Sequence, residues 1–299
     1  MPRSRSPLPA ALATGAFTVA QARELGLTRG QLRHASLHRP TRGVWSVDPP
    51  VTVLTAARAM AAATGHPFAL SHGSAAYLLG WPMSGPWQPG SPIHLMRPTT
   101  LPIPRRAGVI GHRGLESRRV VTIAGLPVVA PADTWADLGS HLPLDDLVVV
   151  GDFLLGRSVP LDELRRTVAV RAGARGTRRL AEALTLIRPG SASRMETLSR
   201  VVFHRTGLPE PQLNADVFDR HGGWLLRADF LWRRQRVIGE YQGDHHRTDR
   251  RAWQVGFGRR HLAESHGWRV VEFGSRDIVH PPSREVLIGL LRSLLRDAA

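Results

Sequence analysis

The sequence predicts an α/β protein of the multidomain α+β kind. Three observations predict this fold class. A helix-turn-helix pattern followed by a strand opens the chain, mixed helices and strands fill its middle, and one helix, strands and closing helices occupy the last third. A length of 299 residues leaves room for two domains of ordinary size. We expect three segments, 1–50, 51–190 and 191–299, with the last boundary at Pro189 and Gly190.

The composition limits the classes of function that this chain can have. The formal net charge is +16, and all 40 basic residues are arginine. An excess of positive charge attracts polyanions, so DNA is the expected partner. The chain has no cysteine, which excludes disulfides, thiolate metal sites and cysteine nucleophiles. We see no signal peptide and no apolar run of about eighteen residues, and therefore expect no membrane span and a cytoplasmic location.

The first segment has the order of a winged helix. Thr18 is the expected N-cap of a helix within residues 17–25, and Thr28 the cap of a second helix over 29–34. A strand pattern over 41–47 follows a break at Pro40 and supplies the wing. A helical hairpin with a solvated face is the alternative interpretation.

A winged helix places its second helix in the major groove of DNA. Residues with hydrogen-bond donors on that helix and on the wing are therefore the candidate DNA contacts, namely Arg29, Gln31, Arg33, His34 and Arg42.

The middle segment mixes helices and strands. Helices are predicted over 53–64, 132–138, 145–155 and 161–170, and strands over 93–96, 120–123 and 128–129. Four histidines lie in this segment without the spacing of metal ligands, and we expect them to be surface or internally satisfied side chains: His72, His94, His112 and His141.

The last segment contains a candidate metal site on a β-hairpin. Two apolar-rich runs, 224–232 and 236–242, flank a short polar turn. If the turn centres near Arg234 and Gln235, Asp229 lies opposite Glu240, about 5 Å away between Cβ atoms. Gln242 shares the face of Glu240. Two acids so placed repel each other unless a cation lies between them, and oxygen ligands suit Mg²⁺ or Mn²⁺. Alternatively, Asp229 ends a strand and Glu240 pairs with Arg227 or Arg236.

Two resemblances extend these predictions. The stretch FTVAQARELGLTRGQLRHASLHRPTRGVWSV, residues 17–47, resembles the N-terminal domain of AbiEi-type antitoxins of type IV toxin–antitoxin systems, and the likeness continues more loosely through 70–80 and 121–127. It covers about 130 residues and implies a DNA-binding winged helix.

The segments SRMETLSRVVFHRTGLPEPQ, LRADFLW, RVIGEYQGDHHR and ESHGWRVVEF resemble the PD-(D/E)xK nuclease fold. They are most similar to domains related to very-short-patch-repair endonucleases, over about 85 residues. The resemblance assigns the metal-binding acids to Asp229 and Glu240, and assigns the orientation of a metal-bound water to Glu196.

One position departs from the pattern of this nuclease fold. Gln242 occupies the place that is often lysine, and an amide supplies hydrogen bonds but no cation. His246 and Arg250 are the candidates to replace the missing charge or to transfer a proton.

The sequence therefore predicts a DNA-binding protein with Mg²⁺- or Mn²⁺-dependent endonuclease activity. The alternative is a non-catalytic repressor or type IV antitoxin, with a degenerate nuclease-like domain and a cognate toxin or another protein as partner. The sequence leaves the oligomeric state open.

Overall fold

The computed structural model describes residues 9, 12, 15–32, 37–157, 159–243 and 250–296, apart from the side chains of 29 and 250–257. The chain forms two compact units. One comprises residues 1–142 and 162–180, and the other comprises 143–161 and 181–299. The first unit contains the predicted winged helix and most of the predicted middle segment. The three-segment division stays a prediction, whereas the mixed α+β fold class is confirmed.

The first unit begins with a small three-stranded sheet and two short helices. Their bounds are β1 Ala16–Thr18, α1 Val19–Glu24, α2 Arg29–Leu32, β2 His38–Thr41 and β3 Val44–Ser46. The sheet order is β1-β3-β2. Thr18 caps α1 in a capping box with Gln21, as predicted. Pro40 lies inside β2 rather than before it, which an edge strand tolerates because its outer N–H positions need no partner.

A five-stranded sheet with the order β6-β5-β4-β8-β7 forms the rest of the first unit. Its strands are β4 Ala69–Leu70, β5 Ile93–Arg97, β6 Val109–Arg113, β7 Val120–Ile123 and β8 Leu126–Val129. The helices are α3 Val53–Thr64, α4 His72–Leu78, α5 Pro131–Asp137 and α7 Leu161–Ala169. β5 runs parallel to β6 and antiparallel to β4. Of the histidines discussed below, His94 and His112 lie on β5 and β6, and His72 begins α4 shortly after β4.

The second unit has a four-stranded sheet with the order β12-β11-β10-β9. The strands are β9 Gln212–Phe218, β10 Trp224–Trp232, β11 Val237–Gln242 and β12 Arg269–Gly274. Its helices are α6 Leu144–Leu155, α9 Arg194–Arg205, α10 Arg250–Ser265, α11 Ser275–Val279 and α12 Pro281–Arg296, while α8 Thr177–Leu186 crosses the boundary between the units. β9, β10 and β11 pair antiparallel, and β12 returns parallel to β11.

Each face of this sheet has its own apolar core. One face packs Phe230, Trp232 and Phe273 against Phe203 of α9 and the apolar side of α12. The other packs Leu231 and Ile238 with Ala263 of α10. Alternation along β11 therefore puts Ile238, Glu240 and Gln242 on the α10 face.

Helix α9 is anchored by one buried aspartate of α6. Asp152 accepts hydrogen bonds from the Thr197 hydroxyl at 2.9 Å, from Arg200 Nη2 at 2.9 Å and from the backbone N–H of Arg188 at 2.8 Å. Both charged side chains are almost completely buried. Ser193 caps the helix by accepting from the Glu196 N–H. These bonds fix the position of Glu196 on the first turn.

Among the described residues, no helix is both long and apolar enough to cross a membrane.

Candidate functional site

The hairpin has the predicted register. Phe230 pairs with Gly239, and Trp232 pairs with Val237, so the turn comprises residues 233–236. Continuing this register by one residue places Asp229 opposite Glu240. Asp229 Oδ2 accepts a hydrogen bond of 2.8 Å from the Tyr241 N–H. The two acids also repel each other electrostatically. The predicted register, with Asp229 opposite Glu240, is confirmed, whereas their role as a metal site stays a prediction.

Among the described acids of the second unit, Glu240 has the largest pKa shift. Its residue is half-buried, but its Oε1 is shielded from solvent and has no hydrogen-bond partner in the described part of the chain. Burial, together with the Asp229 charge, raises the pKa of Glu240 to about 8. A buried carboxyl oxygen without a donor is unfavourable, so this position suits either a proton or a cation.

A third acid extends this group across the sheet. Glu272 of β12 is the register partner of Glu240, and its charge also raises the pKa of Glu240. Gln242 Nε2 donates to Glu272 Oε1 at 3.4 Å. Sequence reasoning did not select Glu272. The available signal was an acid alternating with the apolar Val271 and Phe273 on a predicted strand.

Two arginines of α10 lie near these acids. Arg260 forms ion pairs with Glu272 at 3.2 Å and with Glu264 at 2.9 Å. Arg259 donates to the Arg227 carbonyl at 3.3 Å, and its charge lowers the pKa of Glu240. Both arginines lie on the helix between β11 and β12, but neither was among the candidate site residues. They supply cations near the acids, whereas Gln242 supplies none.

Glu196 lies to the other side of the hairpin and is buried. Its Oε2 accepts from Asn214 Nδ2 at 2.7 Å and from the Ala192 N–H at 2.8 Å. The β9–β10 register places Asn214 beside Asp229, because Ala215 pairs with Ala228 and Leu213 with Phe230. Glu196 thus approaches the pair through Asn214. The carboxylate oxygens of Asp229, Glu240 and Glu196 do not all lie within 4.8 Å of one another. Among the described residues, one other set of side chains meets this condition, and it is described below.

The predicted DNA contacts are placed only in part. Arg42 is exposed in the β2–β3 turn, where a wing would meet DNA. Gln31 uses its side-chain oxygen in a capping box, accepting from the Thr28 N–H at 2.8 Å. Arg33, His34 and His246 lie outside the described residues, as do the side chains of Arg29 and Arg250.

Three of the four histidines are grouped in space rather than dispersed, although His72, His94 and His112 have hydrogen-bond partners and His141 is exposed, as expected. His72, His94 and His112 each offer a ligand nitrogen within 4.8 Å of the others, and this is the set that meets the condition above. His141 also lies near, with its ring centroid 4.9 Å from that of His72. The residues are separated by about twenty positions in the sequence, so no local motif marks them. Strand pairing brings them together.

Comparison with known proteins gives little functional information. No family model matches the chain. The chain is 28% identical over 214 residues to uncharacterized protein Rv2248 of Mycobacterium tuberculosis strain ATCC 25618 / H37Rv, and equally to uncharacterized protein MT2308 of strain CDC 1551 / Oshkosh. In each case the match covers 71% of this chain and 76% of the relative.

Among solved structures, the chain is similar to the crystal structure of the RV2827C protein from Mycobacterium tuberculosis. The identity is 19% and the TM-score 0.41, with 73% of this chain and 92% of that chain covered.

Proposed function

We propose that this protein binds DNA and hydrolyses its phosphodiester bonds with the help of Mg²⁺ or Mn²⁺ held by Asp229 and Glu240. One observation carries the proposal. Two acids from neighbouring strands converge, and the inner oxygen of Glu240 is buried without a hydrogen-bond donor in the described residues. A cation between the two carboxylates would offset their repulsion and would give the buried Glu240 Oε1 a partner.

The residues present fit a hard divalent cation. Asp229 and Glu240 offer carboxylate oxygens, which Mg²⁺ and Mn²⁺ prefer. When bound, such an ion polarises a phosphate oxygen and lowers the pKa of a coordinated water.

The surrounding residues have separate roles in this proposal. Arg259 and Arg260 attract the phosphate group and stabilise the negative charge that develops during hydrolysis. To contact the phosphate, Arg260 must give up part of its ion pair with Glu272. Glu196, fixed by Asn214, orients the attacking water, and Gln242 contributes a hydrogen bond from the neighbouring position.

A nicking assay tests the activity. Supercoiled plasmid is incubated with the protein and Mg²⁺, Mn²⁺ or EDTA. We expect metal-dependent nicking that falls on the order of 10²–10³-fold in Asp229→Asn and in Glu240→Gln, a loss typical of removing one catalytic group. Glu285→Gln is the matched control, because Glu285 is an exposed acid of the same unit on α12. Equal activity of all four proteins would reject the site.

Gln242 favours a second candidate, a repressor or antitoxin that binds DNA without cutting it. Gln242→Lys distinguishes the two, because it adds the cation that the nuclease pattern usually has at this place. For a nuclease, we expect this variant to keep or raise nicking and Gln242→Ala to lower it. If the wild type and both variants bind DNA but are inert on duplex, single-stranded and mismatched DNA with either metal, the repressor or antitoxin function replaces the nuclease.

A further inference from the structure

The first unit contains a cluster of histidine rings that the proposed nuclease chemistry does not use. His72 begins α4 shortly after β4, His94 lies in β5 and His112 lies in β6, and these three strands are neighbours in the sheet. The ring centroids of His72 and His112 are 3.7 Å apart with nearly parallel planes, and those of His94 and His112 are 5.2 Å apart. Three rings thus form a compact group.

The backbone holds the rings in place. The Ser74 hydroxyl accepts from the His94 N–H at 2.9 Å, while the Ser71 N–H donates to the His94 carbonyl at 3.1 Å. His72 has a φ of +48°, in the left-handed region that residues with side chains rarely adopt. Such a conformation persists only where its surroundings enforce it, and it is common at ligand sites.

The distances between the nitrogens suit one ion. His94 Nδ1 and His112 Nε2 are 2.9 Å apart, close enough to share one hydrogen, and a nitrogen of His72 lies within 4.8 Å of both. Tetrahedral coordination at a metal–nitrogen distance of 2.0–2.1 Å requires nitrogens about 3.4 Å apart. To reach this spacing the side chains must rotate, and the stack of His72 on His112 must open so that one ion can lie near the planes of both rings.

The outer contacts also suit an ion. Ser71 Oγ lies 3.0 Å from His72 Nδ1, the type of outer contact that fixes a ligating ring and leaves Nε2 to face the ion.

We infer that His72, His94 and His112 form a binding site for one divalent transition-metal ion of the zinc class. Imidazole nitrogens favour Zn²⁺ over Mg²⁺ or Mn²⁺, so this site is chemically distinct from the carboxylates of the second unit. Three histidines leave a fourth coordination position for water or another ligand. The exposed His141, edge-on to His72, lies next to this group.

Zinc titration of the full, untagged chain tests this inference. After treatment with a chelator, the protein is titrated with Zn²⁺ in competition with a chromophoric chelator. We expect one equivalent to bind. Co²⁺ in its place should give the intense visible absorption of tetrahedral nitrogen coordination. The Co²⁺ spectrum of the wild type does not depend on the folding of any variant.

Variants assign the ligands. His94→Gln and His112→Gln should each weaken Zn²⁺ binding by more than the roughly 10–100-fold that is lost when an outer partner is changed. Ser71→Ala should fall within that 10–100-fold range. His204→Gln, an exposed histidine on α9, is the matched control and should bind as the wild type does. Circular dichroism checks that each variant is folded.

The result of the zinc titration does not depend on whether the protein has the proposed nuclease activity. Asp229→Asn should bind Zn²⁺ like the wild type, even if nicking is absent from every protein. The inference is overturned if the wild type retains less than about a tenth of an equivalent of zinc after loading and dialysis. It is also overturned if folded His94→Gln and His112→Gln bind as tightly as the wild type, or if bound Co²⁺ shows only the weak absorption of octahedral oxygen coordination.

Discussion

At the scale of single residues, Glu240 has the clearest physical consequence. Its pKa in the folded chain, about 8, is well above the ordinary 4.5 of a glutamate. Between these pH values the metal-free folded chain therefore binds more protons than the unfolded chain. Its stability falls as the pH rises through this window, and below about 4.5 the effect is absent because both states are protonated.

Glu240→Gln should remove this pH dependence. In EDTA, we expect the variant to be about as stable as the wild type near pH 5 and more stable near pH 8.5, by up to about 4–5 kcal/mol. Urea unfolding at both pH values measures the difference, with Glu285→Gln as the control for loss of one exposed charge. A difference between Glu240→Gln and the wild type that is the same at both pH values would contradict the perturbed pKa.

The same residues show what a sequence can predict at this scale. Asp229 and Glu240 were predicted as a pair because a short hairpin turn fixes their register by counting alone. Glu272 and the two arginines of α10 were missed, since their positions depend on a strand that returns after a helix. Counting residues along the chain does not predict where β12 rejoins the sheet.

At the scale of elements, α9 depends on Asp152. This aspartate is the partner of the buried Arg200 and of Thr197 on α9. Removing one member of a buried ion pair leaves the other charge without compensation, which costs about 3–5 kcal/mol. The position of Glu196 depends on the same bonds.

Asp152→Ala should destabilise the second unit by about 3–5 kcal/mol. Asp145→Ala is the matched control, because Asp145 lies on the same helix and pairs with Arg205 of α9 at the surface. Exposed pairs contribute about 0–1 kcal/mol, so the control should change little. Denaturant unfolding monitored by tryptophan fluorescence measures both. Similar losses in the two variants would show that the buried contacts do not anchor α9.

Elements with clear end signals were predicted well. Thr18 and Ser193 cap helices as their sequences indicate, and α3 ends at Gly65. The two-residue strand β4 and the five-residue helix α11 were missed. Elements this short contain too few residues to show a period, and pairing with neighbours creates them. The histidine site was not predicted from the sequence, because the short strand β4 positions His72.

At the scale of the whole molecule, we expect net charge to govern the proposed association with DNA. A charge of +16 attracts the phosphate backbone, and each neutralised phosphate releases a counterion. Affinity should therefore fall linearly with salt concentration on a log–log plot. Composition predicts this behaviour without reference to any fold.

Arg42→Ala should reduce the magnitude of that slope by about one, because one phosphate contact is lost. Fluorescence anisotropy with a labelled duplex at several salt concentrations measures the slope. Arg178→Ala, an exposed arginine of α8 outside the winged helix, has the same loss of charge and serves as the control. Asp229→Ala should bind at least as well as the wild type, since it removes a repulsive acid. Equal slopes for the two arginine variants would remove the wing from the DNA interface.

The parallel return of β12 also affects how the chain is made. Until β12 has left the ribosome, β11 is the open edge of an unfinished sheet and exposes the unpaired backbone groups that promote strand-to-strand aggregation. Glu240 lies on this growing edge, and Asp229 lies opposite it on β10. Two charges held in close proximity discourage pairing with another chain, so the acids that we assign to a metal also protect the nascent protein.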